Sequence, residues 1–323
     1  MLDIDAVYTW VNGADRDFAE SRRRCLMEQG CYMASEASGM HRFRDNEELR
    51  YSLRSLQAYA PWIRRVYIVT NGQVPRWLDC ENKRVRIVTH DRLFSNLEDL
   101  PTFNSNAIEM QIHKIPGLSD RFLYFNDDCF FGRPTSQSDF ITPAGGTCVY
   151  LEPTPVPSYN PMLPVHDKAY CHTQEIASEF SGGKRLTYLP AHCPQLYDRT
   201  VLERLNARFN FQYRETSGHQ FRNEKDLVLR IFYFSYLLFS EDQDSIGHEA
   251  KLLRYGTDSY SFVMMIARPL RTWRSFFSLY RHRSKFFCVN DDLQGDLIDP
   301  LILKSFRLLL QSYFPQPGSF EIG

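Results

Sequence analysis

The stretch RDNEELRYSLRSLQAYAPWIRRVYIVTNG, residues 44–72, carries two different periodicities in succession. Leu49, Leu53, Leu56 and Tyr59 recur at helical spacing, and Pro61 stops the pattern. Asp45 at the start, with Glu48 three residues on, fits a capping box, so a helix is predicted over 44–62. RRVYIVTNG (64–72) then reads as a strand that ends on Asn71 and Gly72. Helix followed directly by strand is the unit of an α/β fold.

Working outward, the same unit recurs. IDAVYTWVNG (4–13) is a first strand, and the charged stretch 14–44 that follows holds an exposed helix around Arg16 and Arg22–Arg24. RVRIVTH (84–90) is a third strand and SNAIEMQIHKIPG (105–117) a helix closed by Pro116 and Gly117. RFLYFNDD (121–128) is a fourth strand. A mostly parallel sheet with helices on its faces is expected. These strands stop at V-N-G, T-N-G, V-T-H and N-D-D. In open α/β sheets the ligand sits beyond the carboxyl ends of the strands, so four polar ends read as the rim of a site.

The second half is looser. Residues 142–167 are proline-rich and read as loop or extended chain. Helices are predicted around 169–181, 195–208 and 223–239, and 240–284 reads as irregular. In that last stretch Arg268, Arg271, Arg274, Arg281 and Arg283 lie among Trp273, Phe276, Phe277 and Tyr280. They suit either a solvated helix face or a contact surface for an anionic polymer or membrane. KFFCVNDD (285–292) repeats the pattern of a strand ending N-D-D. A closing helix over 299–317 has Asp299 as cap, Pro300 as first residue and Pro315 as end.

The 323 residues are 43% apolar and 14% aromatic, which excludes general disorder. Net charge is −1, so nothing global points to nucleic acid. The longest apolar run, 226–239, is too short to span a bilayer and contains Arg230, so it reads as a buried core helix. MLDIDAVYTW has no basic n-region and no long apolar stretch, so no export signal is expected there, and the eight cysteines contain no C-x-x-C pair. A cytoplasmic protein with reduced thiols is expected, with disulfides left open by the even count.

Asp127 and Asp128 are adjacent carboxylates behind a buried apolar run. Such a pair can hold Mg²⁺ or Mn²⁺ while the metal grips phosphate oxygens; the alternative is a loop with no ligand. The second N-D-D, Asn290-Asp291-Asp292, would complete a pocket that is costly without a cation. His192, between prolines, is either structural or a general base. His219, Arg222 and Asp226 fall at a predicted helix N-terminus, which favours phosphate. Trp10 is a core residue or a stacking platform for a base or sugar, and His113 is given no role.

Taken together these stretches resemble the Stealth family of sugar-phosphate transferases, which includes bacterial capsule hexose-phosphate transferases and the catalytic core of the animal lysosomal-enzyme N-acetylglucosamine phosphotransferase. The resemblance rests on 3–15, 42–78, 85–94, 100–132, 189–199 with 221–226, and 285–296 running on to 313–321. It implies one catalytic domain with a glycosyltransferase-A-like α/β core. Residues 1–132 would be its nucleotide-sugar half, 133–284 insertions completing the site, and 285–323 the final strand and helix. It implies Trp10, Asn12, Gly13, Asp45, Asn46, Glu47, Arg50, Asn71, Gly72, Asn126, Asp127, Asp128, His192 and Arg222 at the active site. The divalent metal would lie at Asp128, Asn290, Asp291 and Asp292. Animal members often end the last motif N-D-N, where this chain has N-D-D.

The implied reaction moves a sugar-1-phosphate from a UDP-sugar to a hydroxyl of a glycan or phosphoglycan acceptor in bacterial capsule or exopolysaccharide synthesis, releasing UMP. Arg222 would stabilise the phosphoryl oxygens, and His192 or Asp127 would take the proton. The rival readings are an ordinary glycosyltransferase that releases UDP and a non-catalytic module that binds anionic glycans. A peripheral contact with the inner membrane and the oligomeric state stay open.

Overall fold

The structure is a computed structural model that describes residues 2–29, 39–240, 247–293 and 299–322. Its centre is a five-stranded sheet in the order β3-β2-β1-β4-β8. β1 (Ile4–Thr9), β2 (Val66–Thr70), β3 (Val85–Thr89) and β4 (Arg121–Asn126) run parallel, and β8 (Gln195–Asp198) joins β4 antiparallel. Every residue of β2 is buried. A parallel strand covered on both faces is apolar on both, which is why these segments lack a polar alternation.

Alternate residues feed two cores. Ile4, Ala6, Tyr8, Ile68, Leu123 and Phe125 pack on Leu49, Leu53 and Leu56 of α2 (Glu48–Tyr59). Val7, Tyr67, Val69, Phe122 and Tyr124 face the other way, onto α4 (Val165–Ser181) and α7 (Leu229–Phe239). α1 (Arg16–Glu28) follows β1, with Asp15 as its cap. α3 is short (Ser105–Glu109), and α5 (Arg199–Arg208) and α6 (Asn210–Gly218) lead towards α7.

Two smaller sheets flank this core. One has β5 (Cys129–Phe131), β10 (Tyr260–Met265) and β11 (Phe286–Asp291), with β11 between a parallel β10 and an antiparallel β5. The other joins β6 (Cys148–Pro155), β7 (Tyr188–Pro190) and β9 (Glu249–Leu252). Phe130, Phe287 and Val263 of the first pack on α8 (Pro269–His282) and α9 (Pro300–Tyr313) through Phe276, Ile302 and Phe306.

Several sequence expectations shift. The 44–62 helix starts at Glu48, because Glu47 takes a left-handed conformation (φ 70°). Asp45 accepts from the Glu47 amide, and Glu48 turns back to the Asn46 amide and side chain at 2.6 and 2.8 Å. The capping box is thus replaced by a turn that frees Asn46 to reach Asp291 at 3.2 Å. The predicted 105–117 helix breaks after one turn, and its remainder is a 3₁₀ turn at Ile112–Lys114. Residues 195–198 are strand rather than helix, and α7 begins only at Leu229. Residues 240–284, expected to be irregular, contain β9, β10 and α8. The seven described cysteines are free thiols.

The C-terminus is anchored by charge. Glu321 accepts from Arg54 Nε at 2.5 Å, Arg54 Nη2 at 2.8 Å, Arg50 Nε at 2.6 Å and the Gly318 amide at 2.7 Å. Burial raises the pKa of this carboxyl, but Arg54, Gly318 and Arg50 outweigh it and hold it at about 2. A depressed pKa gives stability that is present above the unfolded-state value of about 4.3 and lost as pH falls through the folded-state value. Glu321→Gln should therefore cost about 2–4 kcal/mol at pH 7. In urea unfolding the gap to the wild type should narrow as pH drops towards about 2; a gap that stays constant with pH would show that this clamp is not electrostatic.

Candidate active site

The carboxyl ends of β1 and β4, the loop 41–44, the turn after β7 and the end of β11 enclose a cavity of about 500 Å³. Asn126 closes β4, and Asp127 and Asp128 form the turn into β5. The Val289 amide donates to the Asp128 carbonyl at 3.1 Å, so β11 is tied to this turn.

The two carboxyl groups experience different surroundings. Burial raises the Asp127 pKa well above the ordinary range, and the negative charges of Glu48 and Asp128 add to it. Burial acts on Asp128 too, but His192, Cys288 and Asn290 outweigh it and lower its pKa. Asp128 Oδ2 accepts from Asn290 Nδ2 and Cys288 Sγ, each at 3.2 Å, and Oδ1 lies 3.5 Å from His192 Nε2. Adjacent acids pushed apart in this way differ in proton affinity, Asp127 holding a proton more tightly than Asp128.

His192 is held from both sides. Its Nε2 lies 2.9 Å from Asn126 Nδ2, and its Nδ1 lies 3.1 Å from Arg230 Nη1. Arginine has no acceptor, so Nδ1 takes the hydrogen bond. Arg230 also donates to the Tyr170 hydroxyl. Arg222 donates to Ser105 Oγ at 2.8 Å, and burial lowers its pKa. Glu109 lines the same wall; burial raises its pKa, opposed by Arg230 and Arg222. The cavity is thus lined by acids, Asp127, Asp128 and Glu109, and by the basic groups Arg222, Arg230 and His166.

Among the described residues, Asp128, Cys129, His192 and Cys288 each offer one ligand atom within 4.8 Å of the others, a group that can hold a divalent metal. Two sulfurs, an imidazole and a carboxylate suit a borderline cation such as zinc, whereas Mg²⁺ and Mn²⁺ favour oxygens. Oxygens for such ions face the cavity from Asp128, Asn290 and Asp292. Asp291 is already engaged, with Arg44 Nη1 at 2.5 Å, Asn46 Nδ2 at 3.2 Å and the Leu293 amide at 2.9 Å.

Four models of the Stealth family match the chain: conserved region 1 over 2–29, region 2 over 42–149, region 3 over 191–239 and region 4 over 277–323. The chain belongs to the Stealth family. It is 34% identical over 99% of its length to the exopolysaccharide phosphotransferase SCO2594 of Streptomyces coelicolor, and covers 52% of that protein. It is 40% identical to SCO6021 of the same organism (98% of this chain, 57% of that one). To the exopolysaccharide phosphotransferase CpsY of Mycobacterium tuberculosis it is 33% identical (99% and 58%). The chain therefore spans about half the length of these relatives. Solved structures that resemble it include the galactosyltransferase LgtC (TM-score 0.43, 12% identity, 96% of each chain). Mouse xyloside xylosyltransferase 1 is another (TM-score 0.39, 10% identity, 89% of this chain and 98% of that one).

The cavity of this Stealth chain draws on all four regions. Trp10, Asn126, Asp127, Asp128, His192, Arg222, Asn290, Asp291 and Asp292 line it. Asp45 and Asn46 stand behind: Asp45 is hydrogen-bonded to Trp10 and Asn46 to Asp291. The other expected positions lie outside the lining. The Asn12 amide donates to Gln73 Oε1 at 2.6 Å. Gly13 packs so closely on Phe43 that a Cβ would sit 2.5 Å from its carbonyl oxygen. Glu47 and Arg50 pair at 3.7 Å, and Arg50 belongs to the Glu321 clamp. Asn71 and Gly72 are exposed beyond β2.

Sequence reasoning passed over Glu109, His166, Tyr170, Arg230, Cys129 and Cys288. Arg230 and Glu109 left a signal, a single charge inside an apolar segment; the thiols left none.

The His219–Asp226 segment is not a helix N-terminus. It follows α6 as a loop wound around the Asp226 carboxylate, which is 0% exposed. Oδ2 accepts from Asn104 Nδ2, Asn106 Nδ2 and the Asn223 amide at 2.9, 3.0 and 3.0 Å, and Oδ1 pairs with His219 Nδ1 at 2.8 Å. Asp226→Asn sets an NH₂ group against these donors, so a loss of about 2–4 kcal/mol is expected in urea unfolding. An unchanged midpoint would mean that this carboxylate does not hold the loop that carries Arg222.

Proposed function

We propose that this chain transfers a sugar-1-phosphate from a UDP-sugar to a hydroxyl of a glycan acceptor. The acceptor oxygen attacks the β-phosphorus, the bond from that phosphorus to the bridging oxygen breaks, UMP leaves, and a phosphodiester forms. The site would be a glycosyltransferase-A-like nucleotide-sugar pocket in exopolysaccharide or capsule synthesis; the relatives that are exopolysaccharide phosphotransferases support the first of these. The observation that carries this reading is a single cavity lined both by the paired acids at the β4 end and by the half-buried Arg222 and Arg230. A diphosphate needs cations around its oxygens, and an attacking hydroxyl needs an acceptor for its proton.

Each residue then has a task. Arg222 and Arg230 bind phosphoryl oxygens and stabilise charge in the transition state. Asp127 takes the hydroxyl proton. Its raised pKa suits a base, whereas His192 has both ring nitrogens facing partners. His192 fixes Asp128. Trp10 offers a ring beside the nucleotide. Mg²⁺ or Mn²⁺ would be held by the oxygens of Asp128, Asn290 and Asp292, and Asp291 would keep Arg44 and Asn46 in place beside them. The ion supplies charge to offset the diphosphate.

The deciding assay gives the purified chain a panel of UDP-sugars and a glycan acceptor, with Mg²⁺ or Mn²⁺, and identifies products by mass spectrometry. UMP with a phosphodiester-linked sugar is expected, and UDP with an ordinary glycosidic product overturns the proposal. Arg222→Ala should lower kcat about 10²–10³-fold. The acid limb of kcat/KM should lie above the ordinary carboxylate range of about 4 and vanish with the residual activity of Asp127→Asn. A limb unaffected by that change removes Asp127 as the base. Chelation should abolish turnover, and Mg²⁺ or Mn²⁺ should restore it. Rescue by zinc alone would move the metal to Cys129 and Cys288.

A further inference from the structure

We infer that α8 docks this protein on an anionic lipid bilayer surface. The helix belongs to the stretch 268–285, which holds Arg268, Arg271, Arg274, Arg281, Arg283 and Lys285 and no acidic residue. The chain as a whole has 38 basic and 39 acidic side chains, so this segment departs sharply from the balance around it. Arg268, Arg271, Arg274 and Arg281 are exposed, and no carboxylate among the described residues pairs with them.

The helix has a second, unused face. Thr272, Phe276 and Leu279 are buried on the second sheet and on α9. Leu270, Trp273, Phe277 and Tyr280 lie roughly 70–150° round the helix from the middle of that buried face, in one stripe, by helical geometry. Their exposures are 71%, 36%, 68% and 46%. The arginines flank this stripe on the solvent side. α9, packed against α8, exposes Leu301 and Leu308 at 56% and 55%, seven residues apart on one side of the helix. A helix with large apolar side chains on one exposed face and arginines beside them matches the interfacial type that lies in the headgroup layer.

Charge decides among occupants. A second copy of the chain on the same patch would meet it isologously, arginine against arginine. A hydrated acidic polymer satisfies the arginines but leaves Leu270 and Phe277 in water. An anionic bilayer satisfies both sets.

The location makes this docking useful. β10 and β11 are parallel, and their ends bring Met264 and Asn290–Asp292 to the cavity. α8 leaves β10 directly, so the first turn of the stripe lies beside the cavity rim. A bilayer held there would place the cavity next to glycan acceptors anchored in the same leaflet. The inference stands independently of the proposed reaction, because its test reads binding and not turnover.

Sedimentation with vesicles of phosphatidylcholine alone, or of phosphatidylcholine with phosphatidylglycerol, tests it. The chain should partition at least about tenfold more strongly onto the anionic vesicles, and less so as salt rises. Arg271→Ala with Arg274→Ala should remove most of the preference for anionic lipid. Leu270→Ser with Phe277→Ser should lower partitioning onto both vesicle types. All four positions are exposed, so both variants should keep the wild-type circular dichroism spectrum and thermal midpoint. Wild-type chain that stays in the supernatant overturns the inference, as does binding unaltered in both variants. Retention of the patch by an acidic polysaccharide or by self-association, with no vesicle binding, also overturns it.

Discussion

Two neighbouring half-buried carboxyl groups at the end of a parallel strand constrain the rest of this structure. A charge removed from water is tolerated only where partners replace the lost solvation. At Asp128 the partners are His192, Cys288 and Asn290, drawn from segments far apart in the chain. At Asp127 the solution is a raised pKa. Both answers work only if β5 and β11 pair in register, Cys129 against Cys288. The second sheet is thus what allows the first sheet to end in acids.

The basic groups of the cavity obey the same rule with the sign reversed. Arg222 and Arg230 are half-buried, and each has a hydroxyl partner, Ser105 and Tyr170 respectively. The Glu109 pKa is raised by burial and opposed by both guanidinium groups. A cavity lined by both acids and arginines has an internal field, which the proposed diphosphate with its cation would satisfy. The loop wound around Asp226 keeps Arg222 aimed into this field without itself touching the cavity.

Legibility from sequence followed the range of the interactions. The strands and α2 were readable because their signal is local: apolar runs, helical spacing, a proline stop. N-D-D was readable as the polar end of a strand opening on a cavity, because three polar residues behind Phe122–Phe125 contradict a simple core strand. Arg50 was not, because its tie to Glu321 spans 271 residues and nothing near Arg50 announces it. The capping box at Asp45 and Glu48 failed for a related reason. Asn46 is pulled towards Asp291, and that distant demand overrides the local cap. Cys129 and Cys288 look like any buried thiols until the antiparallel register places them together. Arg230 is the instructive middle case: one arginine in the apolar stretch 226–239 excluded a membrane span, and the same observation marks a buried charge that needs a task.

The closing of the chain on itself has a consequence for where the chemistry can exist. Asp128 and Asn290 are 162 residues apart, and Arg44 and Asp291 are 247 apart. Asp128 meets Cys288 and Asn290 only because β11 is paired with β5, so neither N-D-D tip has its native partners without the other. The contacts that complete the cavity are therefore also the contacts that make withdrawing its carboxylates from water tolerable.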